Sequence, residues 1–205
     1  MAGMAIILTF IACLLIIVTG LVSAELLAKT KLPKTWLRKF AHIGIAIIVI
    51  GCSLFVDYRE FAIGGIIAAV AMLAVKQTGV LKSLSSHFAK RSYGEVMFPL
   101  GVTVSAILAH NLAFFIVSIA IVGLADTAAY VIGKSIKSRE LIFTKTIAGS
   151  VAFFIVAFII LLFVVSPLKA GAIGAVATIA EMIGIQGTDN ILIPFAVVGC
   201  LNLLT

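Results

Sequence analysis

Eight apolar runs separated by short polar loops set the pattern of this chain, at about 2–24, 41–56, 61–75, 95–110, 112–133, 146–165, 168–186 and 190–205. A helix needs about 20 apolar residues to cross a bilayer. The pattern therefore predicts an all-α, polytopic membrane helix bundle of seven or eight spans. The second and third runs are short for a crossing, so they are expected to tilt little, to extend into their flanks or to form a re-entrant pair. With the chain used up in spans, residues 1–205 read as a single transmembrane domain. Its chemistry must come from helix ends, loops and intramembrane polar groups.

Polar residues give the bundle its sidedness. Of fifteen Lys and Arg residues, thirteen fall in the loops after runs 1, 3 and 5, among them Lys29, Lys31, Lys34, Arg38, Lys39, Lys76, Lys82, Lys90, Arg91, Lys134, Lys137, Arg139 and Lys145. Only Arg59 and Lys169 lie on the other face. By the positive-inside rule the basic face is cytosolic and the N-terminus is outside. Composition agrees: 63% hydrophobic and 11% charged residues exclude an ordinary soluble domain, and the net charge of +7 belongs to the cytosolic loops. The expected location is a membrane, the plasma membrane in a prokaryote, with no nucleic-acid partner. Val22-Ser23-Ala24 could pass for a signal-peptidase site, but no positive segment precedes the first run, which is read as a retained span. Cys13, Cys52 and Cys200 sit in apolar runs at no metal-ligand spacing and read as core residues.

Most of the remaining polar groups gather on the basic face. Arg38, Lys39 and His42 open run 2; Tyr93, Gly94 and Glu95 open run 4; Asp126 lies inside run 5; Thr144, Lys145 and Thr146 precede run 6; Glu181 ends run 7; Thr188, Asp189 and Asn190 open run 8. An Asp at the centre of a membrane helix costs about 2.5–3.5 kcal/mol, so Asp126 and Glu181 should face a polar interior with partners. Those partners are either a neighbouring Lys or backbone group, or a divalent cation held by Asp126, Glu181 and Asp189. Magnesium suits such a set, because it takes few carboxylates and completes its shell with water and substrate phosphate. The histidines, His42, His87 and His110, lack zinc-ligand spacing.

Runs 2, 4, 6 and 8 all begin on the basic face, so their N-termini add free N–H groups and positive dipole ends there. Arg38 with His42, and Lys145 with Thr146 just before Gly149-Ser150, offer donors and countercharge to a polyphosphate. The tripeptide Gly133-Lys134-Ser135 invites comparison with a P-loop. That loop needs a glycine five positions earlier and a strand leading in, whereas here Ala128 and an apolar helix stand in those places. Lys134 is instead a residue of the cytosolic exit of run 5, near where phosphate would lie.

Five segments follow in order: RKFAH at 38–42, GEVMFPLG at 94–101, GLADTAAYVIGK at 123–134, KTIAGSVA at 145–152, and Glu181 with Asp189-Asn190 and Pro194. Together they resemble the CTP-dependent lipid-alcohol kinases, the family of dolichol, phytol and farnesol kinases and the fungal CTP-dependent diacylglycerol kinase. Two positions depart from it: Ala125 stands where the family has Gly before the Asp, and Ala148 where some members carry Glu. The resemblance implies transfer of the γ-phosphate of CTP to the hydroxyl of a polyprenol, phytol, geranylgeraniol or diacylglycerol, with Mg2+ or another divalent cation. It further implies that Asp126 and Asp189 bind metal-nucleotide and that Lys145, Arg38 and Lys39 hold phosphates, with Thr146, Gly149, Ser150 and Asn190 in the matching segments. Glu95 or Glu181 orients the metal or accepts the alcohol proton, and His42 is the alternative base.

Two rivals remain. A phosphatidate cytidylyltransferase also uses CTP, metal and lipid, but its long Lys-Asp and Pro-Gly-His-Gly-Gly signature is not visible. A small transporter would set polar groups near the midplane and on both sides, whereas the outer half here has only His110, Asn111 and the loop from Asp57 to Glu60.

Overall fold

The computed structural model describes residues 34–78, 93–143 and 145–205, without the side chains of Lys34, Thr35, Leu37 and Arg38. The first apolar run with Cys13 and the 22–24 segment, Lys29, Lys31, Lys82, His87, Lys90, Arg91, Thr144 and the Arg38 side chain lie outside that description. The described chain is all-helical. Its helices are α1 (Lys34–Ser53), α2 (Phe61–Thr78), α3 (Gly94–Leu108), α4 (Leu112–Ser135), α5 (Ile147–Leu161), α6 (Pro167–Ile183) and α7 (Asp189–Leu204). Two of these are long and apolar enough to cross a membrane: α2 taken with its leading turn, Tyr58–Thr78, and α4.

Helix ends follow local chemistry. Asn111 is extended and its side chain accepts from the Phe114 N–H at 3.0 Å, capping α4. Thr146 does the same for α5, its Oγ1 accepting from Gly149 N at 3.2 Å. The run at 146–165 yields a shorter helix than its length suggests. Pro167, at the first turn of α6, favours an extended Ser166, and the chain turns over 162–165 before it. The second run, by contrast, extends backward into its basic flank to begin α1 at Lys34.

α4 is the hub, packed against α1, α3, α5 and α7, while α2 leans on α3 and α6 bridges α5 and α7. Its core side chains Phe115, Ile119 and Ile121 share one buried core with Phe153, Ile173 and Ile193, all with almost no exposure. Halfway along, Ile121–Ala125 form a π-turn, in which the Asp126 N–H reaches back to Ile121 O. Such a turn inserts one residue into the helix and re-aims everything after it. Gly123 makes room for α1 there, since a Cβ would stand 2.7 Å from that of Ala46.

The packing of α3 on α7 depends on a carbonyl that a proline leaves free. Pro194 has no N–H to donate to Asn190 O. Gly101 of α3 lies against that same carbonyl, where any Cβ would collide. The Asn190 side chain returns the contact, donating to Gly94 O at 3.3 Å.

Bonds between helices define two ends. At one, Tyr58 OH donates to Ala109 O at 3.0 Å and Asn202 Nδ2 to Leu108 O at 2.7 Å. The other end holds all the ion pairs found among the described residues. Around the flanks, large apolar side chains point outward in stripes: Ile63, Ile66, Ile67 and Val70 on α2, and Ile147, Val151, Ile155 and Ile159 on α5.

Candidate functional site

The charged end is built from the starts of α1, α3, α5 and α7 and the finishes of α2, α4 and α6. Because the helices alternate in direction, residues far apart in sequence arrive together. Lys39 in the second turn of α1 donates to the Asp126 carboxylate directly after the π-turn, and both side chains are buried. The Lys39 ammonium also lies 5.8 Å from the centre of the Tyr130 ring, one turn on from Asp126. His42 follows Lys39 on α1, is buried, and stacks on Phe98 of α3 at 4.7 Å between centroids.

Lys145, just before α5, donates to Glu181 Oε1 and, at 3.3 Å, to Asp189 Oδ2. Burial works against its charge, but the carboxylates of Asp189, Glu181 and Asp126 outweigh it and hold the ammonium above the ordinary lysine range. The turn between α6 and α7 makes this possible. Gly184 allows Asp189 to fold back against it, and Gly187, at φ +100, lies on the backbone of Gly94. Tyr93 N donates to Gln186 O at 2.7 Å and ties the start of α3 to the same turn.

The expected site thus divides. Asp126, Lys39, Lys145, Glu181, Asp189 and Asn190 converge, with His42 beside them. Glu95 pairs instead with Lys76 of α2 at 2.9 Å, and Lys76 lies over the Tyr93 ring at 4.1 Å. Lys134 is exposed at the end of α4, where a cation complements the helix dipole. Thr146 and Gly149 have structural work: the first caps α5, and the second permits close approach to α4, where a Cβ would stand 2.9 Å from Ala129 O. Ser150 is buried with no hydrogen-bond partner for its hydroxyl. Lys76, Phe98 and Tyr130 were not singled out from sequence. A charged residue at the end of one apolar run facing another at the start of the next was the signal available for Lys76.

Three carboxylates, Asp126, Glu181 and Asp189, share this end with two ammonium groups, Lys39 and Lys145. With His42 neutral, the described side chains of the group carry one surplus negative charge. Glu181 Oε2 and Asn190 Oδ1 are buried and lack a hydrogen-bond partner. Unsatisfied oxygen acceptors in an acidic group leave room for one more donor, a proton or a cation. Among the described residues no group of three His, Cys, Asp or Glu side chains is placed to hold a metal ion; the lysines stand between the carboxylates instead. The oxygens present are hard donors, of the kind a magnesium ion would take with water and phosphate completing its shell. Comparison of the chain with protein-family models, with curated proteins and with solved structures found no match.

Proposed function

We propose that the protein is an integral membrane kinase that transfers the γ-phosphate of CTP to the hydroxyl of a membrane lipid alcohol, working at the cytosolic end of the bundle. The observation that carries this reading is the group of Asp126, Glu181 and Lys39, buried, with the half-buried Asp189 and Lys145, which mixes cation-seeking and phosphate-seeking side chains in one place. The outward apolar stripes support a lipid setting, since soluble monomers rarely expose such continuous apolar surface. The distribution of Lys and Arg supports a cytosolic orientation.

Helix lengths support the depth this chemistry needs. α3, with 15 residues, measures about 22 Å and α4, with 24, about 36 Å. Three residues join them at the uncharged end, so α4 overreaches α3 at the charged end. Asp126 then lies near the level where α3 begins, recessed beneath the polar surface. A lipid alcohol keeps its hydroxyl near this level while its chain stays in the bilayer, and the nucleotide comes from water.

Phosphoryl transfer is mostly positioning and neutralisation of charge. In this reading Glu181, Asp189 and Asn190 offer oxygens to the divalent cation, which when bound screens the nucleotide phosphates. Lys145 and Lys39 turn from carboxylate to phosphate oxygens. Until the nucleotide arrives, the Lys39 ammonium donates to Asp126 and holds that carboxylate in place. The proton of the alcohol goes to a carboxylate or to His42.

The test is a screen of purified protein with γ-labelled CTP and ATP against phytol, geranylgeraniol, a long polyprenol and diacylglycerol. Label in a lipid phosphate is the expected result. Lipid labelled from the α position alone would make the protein a cytidylyltransferase, and solute counterflow without lipid labelling would make it a transporter.

A further inference from the structure

The connection between α4 and α5 has a feature the proposed reaction does not use. Residues 136–146 leave α4, reverse direction and return, with Glu140 and Thr146 bridged antiparallel. At the tip stand Leu141, Ile142 and Phe143, exposed by 41%, 43% and 62%, and Ile136 in the first arm is exposed as well. Phe143 has φ +49, a conformation a bulky side chain rarely adopts. The tip's apolar surface and its backbone strain are therefore not offset by burial within the chain. Lys134, Lys137 and Arg139 flank it, all exposed, with Glu140 the one acid among them. Apolar tip with basic shoulders is the pattern of a segment that enters the boundary between headgroups and acyl chains while its cations meet lipid phosphates.

The same hairpin holds a site residue. Leu141 N donates to Lys145 O at 2.7 Å and Lys145 N to Ile142 O at 2.9 Å, while Ile147 N reaches Arg139 O at 3.1 Å. Whatever fixes the tip fixes the backbone of Lys145.

We infer that Leu141–Phe143 form an interfacial finger that docks into the anionic cytosolic leaflet and thereby sets the height of Lys145 relative to the lipid surface. The inference rests on the membrane reading above. α4 is about 36 Å long against about 30 Å of hydrocarbon, which brings its last turn, and the hairpin rooted in it, to headgroup level. Insertion of about 5–10 Å is the usual depth for an apolar face lying in this boundary.

The chain contains one tryptophan, Trp36, so Trp36→Phe gives a dark background in which Phe143→Trp reports the tip and Phe195→Trp reports the exposed middle of α7. Full-length protein is placed in nanodiscs containing phosphatidylglycerol and phosphatidylcholine, with nitroxide lipids labelled near the headgroup or deep in the chain. The finger requires a blue-shifted emission at position 143, stronger quenching by the shallow nitroxide than by the deep one, and protection from aqueous iodide. Ile142→Trp should report the same depth if Phe143→Trp folds poorly. Nanodiscs without phosphatidylglycerol should lose part of the shallow quenching, as should Lys137→Ser with Arg139→Ser. Iodide quenching at 143 without lipid quenching, while position 195 is quenched by deep nitroxides, overturns the finger and leaves the membrane reading intact. Failure of lipid quenching at both positions removes the membrane reading and the finger with it.

Discussion

Asp126→Asn keeps the shape of the side chain and an oxygen acceptor but removes the charge that Lys39 faces. The two side chains are only 9% and 3% exposed, so the ammonium left behind has little water to turn to. Removing one partner of such a pair costs about 3–5 kcal/mol, which is about two to three and a half decades in the folding equilibrium. Lys39→Met should cost less, because Lys145 still acts on Asp126 from the other side. The double variant, with neither charge buried, should be less destabilised than the sum of the singles by about 2–3 kcal/mol. Equilibrium unfolding in mixed detergent micelles measures all three. Trp36 fluorescence is a suitable probe, since that ring meets Tyr130 of α4 at 5.8 Å and so senses whether α1 is docked. An Asp126→Asn loss within about 1 kcal/mol, the scale of solvent-exposed pairs, or a cycle that simply adds, would refute a buried Lys39–Asp126 pair.

Further outcomes follow from the same contacts. Gly149→Ala should lower stability by about 1–3 kcal/mol, because the new methyl meets Ala129 O and separates α5 from α4; Gly199→Ala, with open space at its Cβ, should be neutral or stabilising in the same unfolding assay. Thr146→Ala should lose the cap of α5 at about 1 kcal/mol, with Thr146→Ser retaining most of it. The raised pKa of Lys145 fixes a sign: its contribution to stability is fully present below the unfolded lysine value of about 10.4 and is lost as pH rises through the higher folded value. The stability difference between wild type and Lys145→Met should therefore stay level through neutral pH and shrink only in strong alkali.

Much of this arrangement is readable from the chain, for physical reasons. Apolar runs joined by short loops must alternate in direction, so groups placed at alternate run ends, such as Lys39, Asp126, Lys145, Glu181 and Asp189, are bound to meet. Which of them pair is another matter. Lys39 and Asp126 are 87 positions apart, and their contact depends on the π-turn at Ile121–Ala125, an apolar stretch whose composition gives no warning of it. Thr146 was read as a donor at a phosphate mouth, and its hydroxyl turns out to cap its own helix. Glu95 looked equivalent to the other carboxylates, yet α2 ends beside α3 and Lys76 claims it. Helix stops were legible only where residues such as Pro167 force them.

The charge balance at this end makes one further demand on any ligand. Two ammonium groups sit among three carboxylates, so a divalent cation arriving alone must displace lysines that have nowhere else to go. A polyphosphate arriving alone meets Asp126, Glu181 and Asp189. Under the proposed function, the two bound together would relieve each other: Lys39 and Lys145 would gain phosphate oxygens as partners, and the carboxylates they leave, Glu181 Oε2 already lacking a donor, would face the cation instead. Coupling of this kind is reciprocal, and typical values amount to about 5–150-fold in each affinity. Thermal unfolding of purified protein should thus shift little with Mg2+ alone or CTP alone and substantially with both. Glu181→Gln removes one negative charge, so it should weaken the Mg2+ dependence while improving binding of CTP by itself. If Mg2+ and CTP raise the unfolding temperature independently, and Glu181→Gln changes neither, the lysines are fixed partners of the carboxylates and phosphate binds elsewhere.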